Sequence, residues 1–295
     1  MAGLVGLGVM GYVLFGFFGT AFSAEEVRTP AEDEVPIGMV YVPGGTTLIG
    51  SEDGLPAEQP VFEADVDGFF LDQHLVSVGQ YQQFVEATEY TTEAEVFESA
   101  ALVKEGGWQL VAGANWRQPF GAGGPDAPDD HPVTQVSWND AEAYCAWADK
   151  RLPTEVEWEH AARGAENNRQ PYSWGDDLVV DGEPRANTWQ GSVPIRSTGA
   201  DEGEFDTSPV GAYGENALGL TDMGGNVWEW VDDWYRSYEE RDASFTPGVR
   251  SEKVQRGGSF LCHESYCHGY RVSARGHASP ESALFHVGFR CAMDY

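Results

Sequence analysis

The stretch RGGSFLCHESYC, Arg256–Cys267, is the most informative segment for the fold of this chain. It holds two of the four cysteines, Cys262 and Cys267, which stand five positions apart. Its glycine pair and its lack of helical spacing predict a turn rather than a helix. Two thiols this close together can form a short-loop disulfide, half of a metal site or a redox pair. The residues of this stretch alone leave all three alternatives open.

The composition of the rest of the chain indicates an aromatic, loop-rich globular protein. The 295 residues are enough to bury a sizeable core, and they include 10 Trp, 12 Tyr, 15 Phe and 36 Gly. The formal net charge of -31 excludes nucleic acid as a partner, because a phosphate backbone is bound by clustered Lys and Arg. This charge favours solubility, with an acidic surface that attracts cationic substrate segments as the alternative.

The N-terminal segment predicts export from the cytoplasm. Residues 2–23 carry no charge and are dominated by Leu, Val, Phe and Gly, and small residues lie where a signal peptidase cleaves. We therefore expect residues 1–23 to be a secretory signal peptide, with a membrane anchor as the alternative. Residues 24–37 are polar and predict a linker, and residues 38–295 form the domain. The expected compartment, periplasmic or extracellular, is oxidising and favours disulfides.

Short regular stretches separated by long irregular loops predict an α+β fold. Met39–Gly45 has the composition of a strand that ends in a turn, and Phe69–Asp72 has the composition of another short strand. Val76–Thr88 places apolar residues at helical spacing. Two further helices are expected after N-caps at Ser137 and Thr154, the second of which forms a capping box with a glutamate three residues later. With no internal repeat and no second boundary, the sequence predicts a single compact loop-rich domain with little regular secondary structure.

Loops of this kind need other constraints, and the sequence offers oxygen ligands and cysteines. Asn187–Trp189, Asp201–Phe205 and Gly224–Glu229 supply the hard oxygens that Ca²⁺ prefers, although acidic residues at turns are commonly only solvated. Cys145 falls within a predicted helix and Cys291 lies near the C-terminus, so a disulfide between them would close a long loop. Four cysteines allow three connectivities, and the pairing stays open at this point.

The cysteines of the opening stretch admit a structural and a functional interpretation. The structural one is a second disulfide, and the functional one is a two-thiolate site for Cu(I), for which thiolates are the preferred ligands. Zinc is disfavoured because it requires four ligands, and no CxxC or HxxxH motif lies nearby to complete the set. Ser259 could reach the same site, but only if the backbone bends between Ser259 and Cys262.

Taken together, these motifs resemble the formylglycine-generating enzymes, also called sulfatase-modifying factors. The resemblance covers residues 38–295, and its most specific feature is the Cys262/Cys267 pair. It implies the fold of that family, which is of the C-type-lectin-like kind. Beyond Arg256–Cys267, the resemblance rests on Gly113–Arg117 (GANWR), Asp130–Val133 (DHPV), Val136–Ala141 (VSWNDA), Lys150–Glu155 (KRLPTE), Gly225–Trp230 (GNVWEW) and Gly288–Cys291 (GFRC).

The resemblance implies an oxidase that acts on protein. Family members use O2 to convert a cysteine, within a Cys-x-Pro-x-Arg segment of an unfolded sulfatase, into Cα-formylglycine, and a thiol reductant takes part. By this likeness, Cys262 and Cys267 hold Cu(I), and Ser259 matches the active-site serine. Trp230 and Tyr266 match aromatic residues of the substrate pocket. We expect the protein to be a monomer.

The family further implies two structural Ca²⁺ ions and a Cys145–Cys291 disulfide. The first ion would be bound by Asn187, Thr188, Asp201 and Phe205, where Thr188 and Phe205 act through carbonyl groups. The second would be bound by Gly225, Asn226, Val227 and Glu229, with carbonyl groups from Gly225 and Val227. Both sets are expectations that depend on the likeness.

This chain also departs from the family pattern. His286 stands where relatives often have Asn, and Gly276 stands where Ser is common, both near the expected substrate groove. Ala162 and Val272 occupy the places of a second disulfide of animal members, which favours a bacterial-type enzyme. A catalytically silent binding module on the same scaffold is the alternative, but it predicts the loss of a pocket cysteine. A sulfoxide synthase is disfavoured because the partner domain that supplies its iron ligands is missing from this sequence.

Overall fold

The fold is described from a computed structural model. It covers residues 29–104, 107–189, 191–192, 196–197, 206–265 and 267–295. The predicted signal peptide, as well as the candidate site residues Asp201, Phe205 and Tyr266, lies outside these residues. Within the described ranges, none of the helices has the length and apolar character needed to span a membrane.

Within the ranges that the structure describes, four α-helices form where the sequence supplies an N-cap. They are α1 (Val78–Thr88), α2 (Glu93–Val96), α3 (Trp138–Trp147) and α4 (Glu155–Ala162). Each is preceded by a Ser or Thr whose hydroxyl accepts the N–H three residues later, while the side chain at that later position accepts the N-cap N–H. The helix starts predicted from Ser137 and Thr154 are therefore confirmed. The helix expected over Val76–Thr88 begins two residues later, after its own cap at Ser77.

Two sheets form the framework of the domain. The first is antiparallel in the order β1–β4–β15, and the second has the order β13–β12–β11–β14, with a parallel pairing only between β11 and β14. Three 3-10 turns and four two-stranded ribbons complete the described elements. The strands are β1 (Met39–Val42), β2 (Gly45–Ile49), β3 (Phe62–Val66), β4 (Phe69–Asp72), β5 (Ser99–Lys104), β6 (Gly107–Ala112), β7 (Val179–Val180), β8 (Glu183–Pro184), β9 (Gly191–Ser192), β10 (Arg196–Ser197), β11 (Trp228–Trp234), β12 (Lys253–Arg256), β13 (Arg275–Ala278), β14 (Val287–Gly288) and β15 (Ala292–Asp294).

The predicted fold class is confirmed: the chain is a single α+β domain with few helices and long loops. Both strands expected from composition are present, as β1 and β4, and the first ends at Val42, before the expected turn. The largest hydrophobic cluster joins α1 and α3 to β11, β14 and the loop after β12. Cys262 belongs to this cluster, so the main core of the domain directly supports the candidate site.

Buried charge holds α4 against the second sheet. Arg256, at the end of β12, is fully buried and donates to Glu155 at 2.7 Å and to Glu159 at 2.6 Å. Glu159 also accepts from Arg163 at 2.6 Å, and Glu155 accepts from Arg275 at 2.6 Å. Buried charges require such pairing, because an isolated one would cost several kcal/mol. The network fixes the end of β12, from which the candidate site begins.

Candidate active site

The loop after β12 turns back on itself and encloses the Cys262 side chain. Gly257 and Gly258 adopt positive φ angles of 90° and 72°, a region that favours glycine. The Cys262 N–H then donates to the Ser259 carbonyl at 2.8 Å, closing a tight turn. Within this turn the Ser259 N–H points to the Cys262 sulfur at 3.4 Å. The bend that Ser259 needs in order to reach Cys262 is thus present.

Cys262 and Cys267 are neighbours in space. Their sulfur atoms lie within bonding distance and their Cα atoms are 5.4 Å apart, the arrangement of a short-loop disulfide. Cys262 is 1% exposed, whereas Cys267 is only partly buried. A second turn brings Cys267 back, because its N–H donates to the His263 carbonyl at 3.1 Å. On reduction, the same geometry leaves two adjacent thiols, one buried and one closer to solvent.

Two further segments pack directly against Cys262. A Cβ atom on Gly269 would lie 3.0 Å from the Cys262 sulfur and 2.5 Å from the Trp228 ring, so this position has no room for a side chain. The Trp189 N–H donates to the Cys262 carbonyl at 3.0 Å, and this bond connects the loop after β12 to the segment that ends at Trp189. Cys262 is therefore held by contacts on several sides.

His286 is a member of this site that the residue pattern did not reveal. Its Nδ1 lies 3.1 Å from the Ser259 hydroxyl oxygen. Burial lowers the pKa of His286 to about 3, so the imidazole is neutral. The Trp108 ring packs beside it, with 5.2 Å between ring centroids. The sequence marked His286 only as a departure near the substrate groove, because its contact with Ser259 joins residues 27 positions apart.

The two predicted aromatic residues of the substrate pocket have different outcomes. Trp230 is fully buried and its indole N–H donates to the Val136 carbonyl at 3.1 Å, so it packs behind the site within the core. Its role in substrate binding stays a prediction, and Tyr266 lies outside the described residues. The tryptophan that lies against the cysteine loop is Trp228, which is 8% exposed.

Half of the first predicted calcium site lies within the described residues. Asn187 donates through its amide nitrogen to the Asp206 carbonyl at 3.1 Å, and Thr188 is buried beside it. The Asn187 carbonyl accepts the Asn226 N–H at 2.8 Å, which brings the first and second predicted ligand sets together. The contributions of Asp201 and Phe205 stay predictions.

The side chains of the second predicted calcium site already have protein partners. The Asn226 amide accepts from the Ser208 N–H at 2.9 Å and donates to the Ser208 carbonyl at 3.2 Å. Both carboxylate oxygens of Glu229 accept from Arg290, at 2.7 and 3.0 Å. Gly225 has a φ of 80° and lies against the Asn187 carbonyl, where a side chain would clash.

Asp222 is a buried carboxylate and a possible oxygen ligand that the sequence pattern did not reveal. Burial, with a contribution from the charge of Glu229, raises the pKa of Asp222 to about 6. One of its oxygens accepts from the Gly211 N–H at 2.6 Å, whereas the other has no hydrogen-bond partner in the part of the chain that the structure describes. Among those same residues, no three His, Cys, Asp or Glu side chains form a metal-binding group. Any cation here would therefore depend on carbonyl and amide oxygens as well.

The second pair of cysteines confirms the predicted connectivity. Cys145 in α3 is joined to Cys291, 146 positions later, and their Cα atoms are 5.7 Å apart. Both residues are fully buried. The bond connects α3 to the residue that precedes β15, so the C-terminal strand is covalently attached to the helix that supports the main core.

Comparison with known proteins identifies the family. The profile of the sulfatase-modifying factor enzyme 1-like domain matches residues 24–295. The formylglycine-generating enzyme of Thermomonospora curvata is 44% identical over 298 aligned positions, which cover 90% of this chain and 96% of that protein. The enzyme of the same name from Streptomyces coelicolor is 43% identical, covering 92% of this chain and 94% of its own. This chain belongs to the sulfatase-modifying factor family.

The likeness extends to relatives with other names. The mouse protein named inactive C-alpha-formylglycine-generating enzyme 2 is 40% identical over 86% of this chain and 85% of its own. Among solved structures, PvdO from Pseudomonas aeruginosa aligns with a TM-score of 0.65 at 24% identity, over 87% of this chain and 94% of that one. At that identity, the structural likeness establishes the fold alone.

Proposed function

We propose that this protein generates formylglycine from a cysteine of a sulfatase polypeptide. The observation that supports this most directly is the convergence of Cys262, Cys267 and Ser259 at one loop on the family scaffold. Relatives at 44% and 43% identity carry the name formylglycine-generating enzyme. The substrate proposed here is an unfolded segment of the form Cys-x-Pro-x-Arg.

The overall reaction that we propose is an oxidation by O2. At the substrate carbon, the C–S bond and one C–H bond break and a C=O bond forms, while sulfur leaves as hydrogen sulfide. One O2 accepts four electrons, two from the substrate carbon and two from a pair of reductant thiols. The products are the aldehyde, hydrogen sulfide, one water and the disulfide of the reductant. Atoms and electrons balance only when the thiol reductant is included.

Cu(I) is the cofactor that the cysteine pair suits. Two sulfur atoms at one loop, one of them buried in an apolar cluster, are ligands of the soft type that Cu(I) prefers. Cys262 and Cys267 would hold the ion, which would supply the electron-rich centre for reaction with O2. The protein residues orient the site: the turn from Ser259 fixes Cys262, and the apolar surroundings of Cys262 exclude water.

We also propose that Ca²⁺ stabilises the loops beside the site. The Asp222 oxygen that lacks a hydrogen-bond partner among the described residues is a candidate ligand, in addition to the predicted carbonyl and amide groups of the second site. The ion of the first predicted site would bind near Asn187 and Thr188. In this proposal both ions are structural, because loops with little regular hydrogen bonding gain rigidity from such ligation.

The proposed setting is an exported monomer. The Cys145–Cys291 disulfide suits an oxidising compartment, and the uncharged residues 2–23 suit an export signal or an anchor. Both cysteines and the serine of the site come from one chain, so the chemistry requires no second copy.

A catalytically silent binding module is the second candidate. It is favoured by the 40% identity to a mouse relative that is named inactive. The presence of both cysteines at one site supports the enzyme instead. Conversion of a substrate peptide distinguishes the two proposals.

The test is mass spectrometry of a Cys-x-Pro-x-Arg peptide incubated in air with Cu(I)-loaded protein and a thiol reductant. We expect the mass of the aldehyde product, and we expect Cys262→Ala and Cys267→Ala to abolish it. Glu264→Gln, an exposed position between the two cysteines, is the matched control and should retain activity. Copper loading without aldehyde formation across a library of related peptides would favour the binding module.

A further inference from the structure

We propose that His286 is a positioning residue for Ser259, and that its Nδ1 accepts the proton of the Ser259 hydroxyl. This inference rests on the proposed function, in which Ser259 belongs to the active site. The hydroxyl would thereby be held in one direction beside Cys262. The role is distinct from that of a catalytic residue, since His286 acts through Ser259.

The hydrogen bonds of Ser259 assign the direction of its proton. The side chain is fully buried, and its oxygen lies 3.1 Å from His286 Nδ1. The same oxygen accepts the Leu261 N–H at 3.3 Å. An amide N–H can only donate, so it occupies one lone pair of the oxygen. Among the described residues, His286 Nδ1 is then the acceptor for the hydroxyl proton. A neutral imidazole whose Nδ1 accepts carries its own proton on Nε2.

The imidazole is held where it can act as a fixed acceptor. The His286 carbonyl accepts the Trp228 N–H at 2.9 Å, just before the parallel pairing of β14 with β11. Its ring packs between Phe285 and Trp108, with centroid separations of 5.6 and 5.2 Å. The ring is buried and neutral, and a neutral imidazole has one nitrogen lone pair available. His286 therefore presents an acceptor whose position depends on the sheet rather than on the cysteine loop.

The orientation of the Ser259 hydroxyl should affect the chemical step more than substrate binding. Ser259 also donates its backbone N–H to the Cys262 sulfur, so its hydroxyl lies in the same turn as the reacting pair. Without an acceptor at residue 286, the hydroxyl can rotate toward the sulfur or leave its buried proton without a hydrogen-bond acceptor. We therefore expect loss of this acceptor to lower kcat and to change KM little.

Kinetics of two variants, with peptide conversion as the assay, test this prediction. His286→Leu removes the acceptor with a similar side-chain volume, and kcat should fall about three- to tenfold, the range expected for one hydrogen bond. His286→Asn keeps a polar amide near the place of Nδ1 and should recover most of kcat. An unchanged kcat in His286→Leu, with active wild-type protein, would overturn the inference.

A double-mutant cycle with Ser259→Ala separates positioning from general packing. If His286 acts through Ser259, His286→Leu should have no further effect on kcat in the Ser259→Ala background. Independent, multiplicative losses would show that His286 acts on its own. Thermal melting of each variant serves as the folding control. If His286→Leu does not fold, the protonation of Nδ1 in the wild-type protein decides the inference, as measured by magnetic resonance.

Nuclear magnetic resonance tests the same hydrogen bond without depending on copper or activity. In protein labelled with ¹⁵N-histidine, long-range ¹H–¹⁵N spectra distinguish a bare ring nitrogen from a protonated one. The chain has seven histidines, and the signals that disappear in His286→Asn identify residue 286. We expect a bare Nδ1 whose shift changes in Ser259→Ala. A protonated Nδ1 would overturn the inference, even if the wild-type protein converts no peptide and the proposed function fails separately.

Discussion

At the residue scale, close approach to Cys262 depends on positions without side chains. Gly269 lies where a Cβ atom would meet both the Cys262 sulfur and the ring of Trp228. No sequence pattern marks this glycine as different from the other glycines of the chain. Its importance follows from two neighbours that packing brings to it, which is why glycine at this position is a requirement of the site.

Gly269→Ala is predicted to destabilise the protein. The added methyl group would lie 2.5 Å from the Trp228 ring, and such overpacking costs about 1–3 kcal/mol. Gly248→Ala is the matched control, because a Cβ atom there meets nothing within 4 Å, and its effect should stay within about 0.5 kcal/mol. Urea unfolding of both variants measures the difference, and equal midpoints would show that the loop adjusts freely.

At the scale of the elements, α4 depends on charged groups at its start and in its middle. Glu159, in the middle of the helix, accepts from Arg256 and Arg163 and also from the Gly50 N–H at 2.9 Å. The first N–H of the helix, at Glu155, donates to Asp233 of β11 at 2.6 Å. The helix therefore contacts the second sheet through ion pairs and a carboxylate cap as well as through apolar packing.

Arg256→Met is expected to be strongly destabilising. The change leaves Glu155 with Arg275 and Glu159 with Arg163 as their remaining arginine partners. Removing one member of a buried ion pair costs about 3–5 kcal/mol. Asp294→Asn is the surface control: Asp294 is 82% exposed in its ion pair with Arg151, so the cost should stay below about 1 kcal/mol. Denaturant unfolding at neutral pH compares them. A loss of less than 1 kcal/mol in Arg256→Met would mean that apolar packing alone holds α4.

The stability of the protein should also depend on pH through Asp233. Burial, together with repulsion from Glu155 and Asp232, raises the pKa of Asp233 to about 7. The folded state thus retains a proton that the unfolded chain releases near pH 4, so this contribution to stability is lost as the pH rises toward 7.

Asp233→Asn is predicted to remove that pH dependence, since an amide does not titrate. Between pH 5 and pH 8, its free energy of unfolding should increase by about 1–2 kcal/mol relative to that of the wild type. We expect this modest energy because Asp233 is only half-buried, so that solvent screens its charge. Urea titrations at several pH values provide the measurement. A difference that is constant across this range would contradict the raised pKa.

At the scale of the whole molecule, the Cys145–Cys291 bond connects distant parts of the chain. It joins α3 to the last strand, and that strand completes the first sheet beside β4. The adjacent Arg290 is fully buried and pairs with Glu229 of β11, in the second sheet. The C-terminal residues thus tie together α3 and both sheets.

Removing this bond should cost more than removing the bond of the candidate site. The chain-entropy treatment gives about 5 kcal/mol for a closed span of this length and about 2 kcal/mol for a span of five residues. We therefore expect Cys145→Ala/Cys291→Ala to unfold at a much lower urea concentration than Cys262→Ala/Cys267→Ala. Equal losses in the two double variants would indicate that local packing, rather than loop closure, determines the stabilisation.

Much of this protein is determined by the sequence because it depends on neighbouring residues. The N-caps at Ser137 and Thr154 define helix starts through contacts three residues apart, which a sequence pattern records directly. Cys262 and Cys267 are near one another by chain connectivity, so the candidate site could be recognised as a pair of thiols. The motifs around them were sufficient to indicate the family.

Tertiary structure alone decided which distant residues complete the site and which oxygens are left without partners. Ser259 meets His286 across 27 positions, and Gly269 meets Trp228 across the core. Asp222 was missed because an unpaired buried oxygen is defined by its surroundings rather than by its neighbours in sequence. Such contacts join irregular loops, and these loops have no periodic pattern of hydrophobic residues from which their path could be predicted. Their geometry follows from the packing of the two sheets and α4, which no local pattern specifies.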